Sequence, residues 1–344
     1  MPASSFDTFF ACTIIVAAAL IGMAFLGSTM QTRIASTQDI NKDSYLKAIA
    51  DNIIANPGSP TEWGTSNALP VDFGLASSLS HNAYELDMDK ICRLNSLNNY
   101  SLSYFDLLKA AKLNLALGIK VSPLMTMNVL QSSNSSVGMN TSFTFRISAN
   151  IDSKPTSASL HCYFVADTYF NEVNASIPDV GVGQVTIQIP TSEIEDALLI
   201  AFARASIDDR ITTFAVYNFG QSTQELIPNS TNFALSPIDY TLSLNETGLR
   251  FLNGNVFSYS YQHQLPYPAG SKAVIPKLID KSPLVIVVEG LNGTKHFQEW
   301  TAYPQIPMKI GANFDSSEQN IFSYIVTVNG VLYRLDLSLG DLPQ

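Results

Sequence analysis

The histidines are the first residues in this sequence that could do chemistry as metal ligands. A zinc site needs three or four nitrogen, sulfur or oxygen ligands that converge, but no H-x-x-x-H or C-x-x-C spacing occurs. On a strand, His161 and Cys162 point to opposite faces, so one metal cannot easily use both. We predict no metal site, and we interpret the histidines as partly exposed strand or loop residues. They are His81, His161, His263 and His296.

Acidic clusters could supply the paired carboxylates of general acid–base catalysis. The three clusters are Asp87/Asp89, Asp208/Asp209 and Asp315/Glu318. The first has the competing interpretation of helix capping, and the second that of a polar hairpin turn completed by Arg210. Asn313, Asp315 and Ser317 alternate as in a calcium loop, but the glycine and the distal glutamate of such a loop are missing.

Nucleotide and hydrolase motifs give no stronger signal. Gly181–Gly183 lacks the third glycine and the helix of a phosphate loop, so we interpret it as a turn, and no G-x-S-x-G motif occurs. The sequence therefore predicts no catalytic residue and no cofactor. One alternative is a membrane-tethered hydrolase whose carboxylates come from separate β-domain loops. Another is a ligand-binding receptor module that uses Trp63, Tyr259, Tyr261 and Trp300, although such residues more often fill a sandwich core.

The composition limits the possible partners. The 344 residues include 19 Lys and Arg against 29 Asp and Glu, for a net charge of −10. No basic cluster is present, which argues against a nucleic-acid partner. Charged residues make up 14% of the chain, well below the roughly 25% of ordinary soluble domains. A hydrophobic fraction of 46% is sufficient for a sizeable core.

A charge-free N-terminal segment predicts a membrane anchor. Phe9–Gly27 is a nearly unbroken apolar run, long enough as a helix to cross a ~30 Å hydrocarbon core. A cleaved signal peptide or a buried core helix is the alternative, but 1–7 lacks the basic residue of a signal peptide. The anchor residues predicted to contact lipid are Phe9, Phe10, Ile14, Ile15, Val16, Leu20, Ile21, Phe25 and Leu26.

An amphipathic stalk is predicted after the span, as far as the Asn56-Pro57-Gly58 break. Arg33, Lys42 and Lys47 follow the span, and the positive-inside rule read literally places the body in the cytoplasm. Large domains, however, translocate largely regardless of flanking charge. Because the body also carries N-x-[S/T] sequons, we predict a single-pass cell-membrane protein with an extracytoplasmic body. The possible glycosylation sites are Asn99, Asn134, Asn140, Asn174, Asn229, Asn245 and Asn292.

The body is predicted to have an α+β fold that is mainly β. Asp87 and Ser103 are placed to N-cap two short helices, the second of which ends at Gly118. After this point the period of the hydrophobic pattern changes from 3.6 residues, as in a helix, to 2 residues, as in a strand. Six or seven strands, beginning with Ile119–Val129, fit into about 100 residues, as in an antiparallel sandwich of immunoglobulin-like size. Further along, Asn-Gly pairs predict three hairpins, at Asn253-Gly254, Asn292-Gly293 and Asn329-Gly330.

These elements predict four regions. They are a transmembrane helix and stalk (1–56), a loop with two short helices (57–118), an immunoglobulin-like β-sandwich (119–222) and a second all-β unit (223–344). A single extended β domain over 119–344 is the main alternative. Cys92 and Cys162 are interpreted as buried small apolar residues, with a disulfide between them as the alternative.

The first third of the chain resembles a known type of surface protein. The short charge-poor leader, the apolar helix and the motifs Asn56-Pro-Gly-Ser-Pro-Thr-Glu-Trp-Gly64, Phe73-Gly-Leu-Ala76 and Tyr84-Glu-Leu-Asp-Met-Asp-Lys90 are similar to archaeal membrane-anchored, type IV pilin-like proteins. The resemblance covers residues 1 to about 115. It implies that the apolar helix anchors the subunit or packs into a filament core, with the β domain facing outward. No basic residue precedes the apolar run, which favours anchoring over filament assembly.

Together these features predict a non-enzymatic membrane-anchored surface protein. Its role would be structural, adhesive or pilin-like assembly, and its predicted partners are the membrane, further copies of itself or other surface proteins.

Overall fold

The structure is a computed structural model. It describes residues 42–79, 82, 84–166, 169–191, 197–219, 233–244, 248–265, 272–276, 280–312 and 319–340, together with Val16, Leu20, Ile21, Met23 and Phe25. The chain divides into two compact units, Met1–Asp51 and Asn52–Gln344. Helix α1 covers 42–55.

The predicted membrane span lies largely outside the described residues. Of its predicted lipid-contacting residues, Val16, Leu20, Ile21 and Phe25 are described, and each is helical and exposed. Phe9, Phe10, Ile14, Ile15 and Leu26 lie outside. Within the part of the chain that the structure describes, no helix is long and apolar enough to cross a membrane.

Two short helices form where the capping residues place them. Asp87 accepts hydrogen bonds from the backbone N–H groups of Asp89 and Lys90 at the start of α2 (Met88–Arg93). Ser103 accepts one from Asp106 at the start of α3 (Tyr104–Ala111). The prediction that Gly118 ends the second helix is wrong, because Lys112 adopts a left-handed conformation and closes α3 earlier.

The strands confirm a mainly β, antiparallel fold. In the described residues they are β1 (Glu85–Leu86), β2 (Ala116–Pro123), β3 (Met125–Val137), β4 (Asn140–Ile151), β5 (Lys154–Pro155), β6 (Ala158–Ala166), β7 (Tyr169–Ile177), β8 (Val182–Pro190), β9 (Ala197–Ala205), β10 (Thr212–Asn218), β11 (Phe233–Ser236), β12 (Thr241–Leu244), β13 (Leu249–Phe257), β14 (Gln262–Gln264), β15 (Lys272–Val274), β16 (Leu284–Asn292), β17 (Lys295–Tyr303), β18 (Met308–Gly311), β19 (Gln319–Val328) and β20 (Val331–Gly340).

Two facing sheets form a β-sandwich over β3 to β10. One sheet contains β3, β4 and β8, with β5 beside the end of β4, and the other has the order β10-β9-β6-β7. Phe143, Phe145 and Ile147 alternate along β4 and pack with Leu160 and Phe164 of β6 in one buried cluster. The period-2 pattern that predicted these strands arises because one face of each strand is buried in this cluster.

The predicted strand Ile119–Val129 is two strands in different sheets. Its first part belongs to β2, which pairs with β20 and β18, and its second part belongs to β3, which pairs with β4. Pro123 ends β2, because its nitrogen carries no hydrogen that could extend the ladder. The apolar pattern therefore continues across a change of sheet.

The sheet β10-β9-β6-β7 is buried on both faces. In β9, Leu199 and Ala201 face the sandwich core, whereas Leu198, Ile200 and Phe202 face a second cluster that includes Val285 and Val287 of β16. We refer to this second cluster as the shared core. Burial of both faces explains why Ala197–Ala205 is a continuous apolar run.

The shared core contains strands from both predicted β units, 119–222 and 223–344, and all of its residues belong to the compact unit Asn52–Gln344. The predicted boundary at 222/223 lies outside the described residues and stays a prediction.

The remaining strands add three further sheets. One face of the sheet β14-β13-β16-β17 contributes to the shared core. Its opposite face packs on the sheet β11-β12-β15, around Leu242, Val256 and Ile286. A fifth sheet has the order β1-β19-β20-β2-β18, and its β1–β19 pair is parallel. Within the described residues, the two sheets of the sandwich and the sheets β14-β13-β16-β17 and β11-β12-β15 therefore form four layers. Three apolar clusters lie between these layers.

Two of the three predicted hairpins are confirmed. Asn329 and Gly330 both have positive φ between β19 and β20, as a type I′ turn requires. Gly293 lies in the turn between β16 and β17. The Asn253-Gly254 prediction is wrong, because this pair lies inside β13, where the register with β16 shifts at a β-bulge. Asn253 Oδ1 accepts a hydrogen bond from the backbone N–H of Gly254, and the strand continues its pairing beyond the pair, so the pair does not reverse the chain.

Candidate functional site

Helix α2 carries a cluster of buried ionisable side chains, which we call the α2 cluster: Asp89, Lys90 and Arg93. A carboxylate or cation at such a position needs partners, since burying an unpaired charge is costly. Asp89 accepts a hydrogen bond from the Tyr240 hydroxyl at 2.8 Å and another from the Tyr303 hydroxyl. These bonds join α2 to β17 and to the residues just before β12.

The two cations of the α2 cluster bond to backbone carbonyl groups. Lys90 Nζ donates to the oxygens of Pro57 and Ala76 at 2.8 and 2.7 Å. The guanidinium group of Arg93 donates to the oxygens of Ser66, Ala68 and Tyr100 at 2.7, 3.0 and 2.9 Å, and also to that of Trp63. The segment that follows α1 is thereby fastened to the β body.

Burial alters the titration of the α2 cluster. It raises the pKa of Asp89 above its usual range, although the two tyrosine hydroxyls offset part of this effect. It lowers the pKa of Lys90 and of Arg93. Burial also raises the pKa of the neighbouring Cys92 thiol, which disfavours the reactive thiolate. Each charged group of the α2 cluster therefore combines a shifted pKa with hydrogen bonds to segments that are distant in the sequence.

Replacing Asp89 by asparagine is expected to change the pH dependence of stability. Because the pKa of Asp89 is raised in the folded state, the folded protein binds more protons than the unfolded chain between the two pKa values. The associated stability is present below the unfolded pKa and is lost as pH rises. We therefore expect the free energy of unfolding of the native protein to fall relative to that of Asp89→Asn above about pH 4.

Urea unfolding of both proteins between about pH 3.5 and 7 measures this difference. A difference that stays constant over the range would contradict the expectation.

The other predicted acidic groups have structural contacts where they are described. Asp87 caps α2, in agreement with the capping interpretation. Asp208 accepts hydrogen bonds from the backbone N–H and the guanidinium group of Arg210 in the turn between β9 and β10, and these bonds lower the pKa of its carboxyl group. The calcium-loop candidates Asn313, Asp315 and Ser317, and Glu318 with them, lie outside the described residues.

The histidines do not converge in the described residues. His161 stacks on Tyr163 with ring centroids 4.5 Å apart, and its Nε2 lies 3.4 Å from Glu172 Oε2. Cys162 points to the opposite face, into the sandwich core. His263 stacks on Tyr261, His296 lies on β17, and His81 lies outside the described residues. Cys92 and Cys162 are buried free thiols, as predicted.

Among the described residues, no group of three or more histidine, cysteine, aspartate or glutamate side chains is placed to hold a metal ion.

The four aromatic residues of the receptor alternative have different surroundings. Trp63 is fully buried beside Arg93 and donates a hydrogen bond to the Gly74 oxygen at 3.1 Å. Tyr259 is half-buried with the Arg204 guanidinium 3.9 Å from its ring centroid. Trp300 is half-buried and lines an apolar cleft of about 390 Å³ with residues of β10 and the Ile306-Pro307 segment. Trp63 is therefore not accessible to a ligand, whereas Tyr259, Tyr261 and Trp300 are each half-buried.

A second cleft has a polar lining, and we call it the amide cleft. Its volume is about 410 Å³. It is lined by Val165, Tyr169, Phe170, Leu252, Asn253, Asn255, Gln262, Gln264, Glu289 and His296. Four carboxamides, the Glu289 carboxylate and the Phe170 ring are thus among the groups of this lining. Sequence reasoning missed this set, because its members come from six strands and the Asn253–Asn255 segment suggested a turn.

The sequon asparagines are exposed wherever they are described. Asn99, Asn134, Asn140, Asn174 and Asn292 are all on the surface, and Asn229 and Asn245 lie outside the described residues. Exposure is a requirement for glycan attachment, but it is also usual for asparagine. The glycosylation sites therefore stay a prediction.

The fold and clefts define a layered, mainly β protein. No family model and no curated protein matches the sequence. Among solved structures, HBP35 of Porphyromonas gingivalis is similar at a TM-score of 0.18 and 11% identity. The match covers 52% of this chain and 63% of that one, so the chain spans less than two thirds of its length. At this TM-score, the similarity supports no argument about fold or function.

Proposed function

We propose that this chain is a non-enzymatic surface protein, anchored in the membrane by residues 9–27. Its β-rich body, which includes a sandwich of immunoglobulin-like size, lies outside the cytoplasm and has a structural or adhesive role. The apolar N-terminal run supports the anchor, and the sequons favour an extracytoplasmic body. The resemblance to pilin-like surface proteins is consistent with the same arrangement.

The α2 cluster is the observation that carries this proposal. An anchored surface protein must transmit force between its membrane segment and its body. Lys90 and Arg93 fasten the backbone at Pro57, Trp63, Ser66 and Ala68 to α2, and Asp89 fastens α2 to Tyr240 and Tyr303. These charged groups bond to backbone carbonyls and tyrosine hydroxyls, so we assign them to mechanical attachment and not to catalysis.

Membrane fractionation combined with protease treatment of intact cells tests this proposal. We expect the full-length chain in the membrane fraction, with its body degraded by external protease while a cytoplasmic marker stays intact. A matched variant, Leu20→Asp with Ile21→Asp, places two charges within the apolar run and should release the chain, whereas Leu20→Val with Ile21→Val should not. A soluble cytoplasmic chain, or a body that external protease cannot reach, would overturn the proposal.

Electron microscopy of sheared surface material distinguishes the two anchored roles. Filaments that contain this chain, trimmed near Ser4 or Ser5, would establish pilin-like assembly. Recovery of the intact N-terminus only in the detergent-soluble membrane fraction would establish a tethered surface protein.

A further inference from the structure

The amide cleft lies where the shared core ends. On one face of the sheet β14-β13-β16-β17, Phe257, Val285 and Val287 contribute to the shared core. On the same face, two residues further along β16, stands Glu289, and β13 continues with Asn255. The face thus changes from apolar to polar while the β6–β7 hairpin still lies opposite. The apolar packing between the two layers therefore ends at the cleft.

The polar groups of the cleft are held in place by their neighbours. Gln262 Nε2 donates to Asn255 Oδ1, and Gln264 Nε2 donates to Asn253 Oδ1, both at 3.3 Å. Each bond uses one N–H group of a glutamine and the oxygen of an asparagine. The Nδ2 groups of the asparagines and the Oε1 atoms of the glutamines take no part in these two bonds. The lining therefore presents donors and acceptors side by side.

Glu289 is a buried carboxylate on the floor of the cleft. Its side chain is 5% exposed, and its Oε1 accepts a hydrogen bond from Gln298 Nε2 at 3.0 Å. Among the described residues that line the cleft there is no lysine or arginine. A phosphate or carboxylate ligand would lie close to the Glu289 carboxylate, with no lysine or arginine in the lining to bind it, which argues against an anionic ligand.

The opposite wall of the cleft is aromatic. Phe170 stacks on Phe257 and on Tyr163, with ring centroids 6.1 Å apart in each case, yet its side chain is 43% exposed. The preceding residue, Tyr169, points to the other face of β7, where its hydroxyl donates to the Gln188 oxygen at 3.1 Å and fixes this part of the strand. A fixed, exposed ring offers an apolar surface to a ligand that also has polar groups.

We infer that the amide cleft is a binding site for a neutral saccharide. A sugar ring has hydroxyl groups that both donate and accept hydrogen bonds, and its C–H groups form apolar patches. Carboxamides and a carboxylate match the hydroxyls, and Phe170 matches a C–H face. The volume of about 410 Å³ lies within the roughly 300–1,000 Å³ range of small-molecule sites. This inference concerns the folded body alone and is independent of where the chain is displayed.

Ligand-observed NMR on the purified full-length chain tests the inference. The detergent must lack a sugar headgroup, since a maltoside would compete for the site. The probes are neutral disaccharides of glucose, galactose, mannose and N-acetylglucosamine, with sialyllactose and choline as charged comparisons. We expect at least one neutral disaccharide to give a binding signal by NMR. Titration calorimetry of that disaccharide should then give a Kd of about 1 mM or tighter.

Two cleft variants and two matched controls locate the binding. Asn255→Asp replaces a donor with an acceptor of the same shape, and Phe170→Ala removes the aromatic wall. Each should weaken binding about tenfold. The exposed residues Asn128 and Phe105 provide the controls Asn128→Asp and Phe105→Ala, which should bind as the native protein does.

Three results would overturn the inference. These are the absence of binding by every neutral probe at about 10 mM, equal weakening by cleft and control variants, and a preference for sialyllactose or choline. Thermal unfolding of each variant establishes that it is folded. If Phe170→Ala fails to fold, Asn255→Asp decides the outcome alone.

Discussion

Replacing Arg93 by methionine is expected to lower the free energy of unfolding by about 3 to 5 kcal/mol. Methionine retains part of the apolar stem but removes the guanidinium group, which donates to the oxygens of Trp63, Ser66, Ala68 and Tyr100. These acceptors would lose a charged donor in a place where Arg93 itself is 1% exposed. The largest single cost is expected at the Trp63 carbonyl, since Trp63 is fully buried and an unsatisfied buried carbonyl carries a desolvation penalty of about 1–3 kcal/mol.

Arg334→Met is the control for the loss of an arginine as such. Arg334 forms an ion pair with Asp152 on the surface, and exposed pairs contribute at most about 1 kcal/mol. Urea denaturation of the two variants in parallel compares their free energies of unfolding. The free energy of unfolding of Arg93→Lys should lie between those of Arg93→Met and the native protein, because lysine retains the charge but lacks the planar guanidinium group. Similar losses for Arg93→Met and Arg334→Met would refute the role assigned to the α2 cluster.

The second large effect is expected at the shared core. Phe202 is fully buried there, with its ring centroid 6.0 Å from that of Tyr163 and 6.1 Å from that of Phe214. Phe202→Ala should therefore lower the free energy of unfolding by about 3 to 5 kcal/mol, through lost burial and the cavity left behind. Because the shared core joins β9 to β16, we expect one cooperative transition that shifts as a whole in the variant.

Calorimetry of the native protein and the variant measures both expectations. Phe105→Ala serves as the control, since Phe105 on α3 is 74% exposed and its loss should change stability by no more than about 0.5 kcal/mol. Two separate transitions, of which only one shifts in Phe202→Ala, would instead show that the two predicted β units unfold independently.

Features set by neighbouring residues could be predicted from the sequence. Asp87 and Ser103 cap their helices because a side-chain oxygen lies within reach of the next backbone N–H groups. The Asn329-Gly330 turn follows from the positive φ that both residues tolerate. At Asn253-Gly254 the same dipeptide lies inside a strand, directly after a register shift between Phe251 and Asn253, and β13 continues its pairing with β16 beyond it.

Features that depend on distant segments could not be predicted in this way. Lysine and arginine are rarely buried, and nothing near Lys90 or Arg93 in sequence indicates that carbonyl groups of the segment 57–76 surround them. The amide cleft has the same character, because its residues come from several strands. A pattern of polar residues at i and i+2 was its only local signal, at Asn253 and Asn255 and again at Gln262 and Gln264.

In the fifth sheet, β2 pairs with a strand that is synthesised much later in the chain. β20 lies between β19 and β2, although β2 precedes the whole sandwich in sequence. During synthesis, β2 therefore emerges long before the strand that will satisfy its backbone groups, and its apolar residues Leu117, Ile119 and Val121 stay without that cover. Closing such a long loop makes sheet formation slow. Until β20 has been synthesised, this edge of β2 stays unpaired, and unpaired strand edges are the surfaces through which incomplete chains associate.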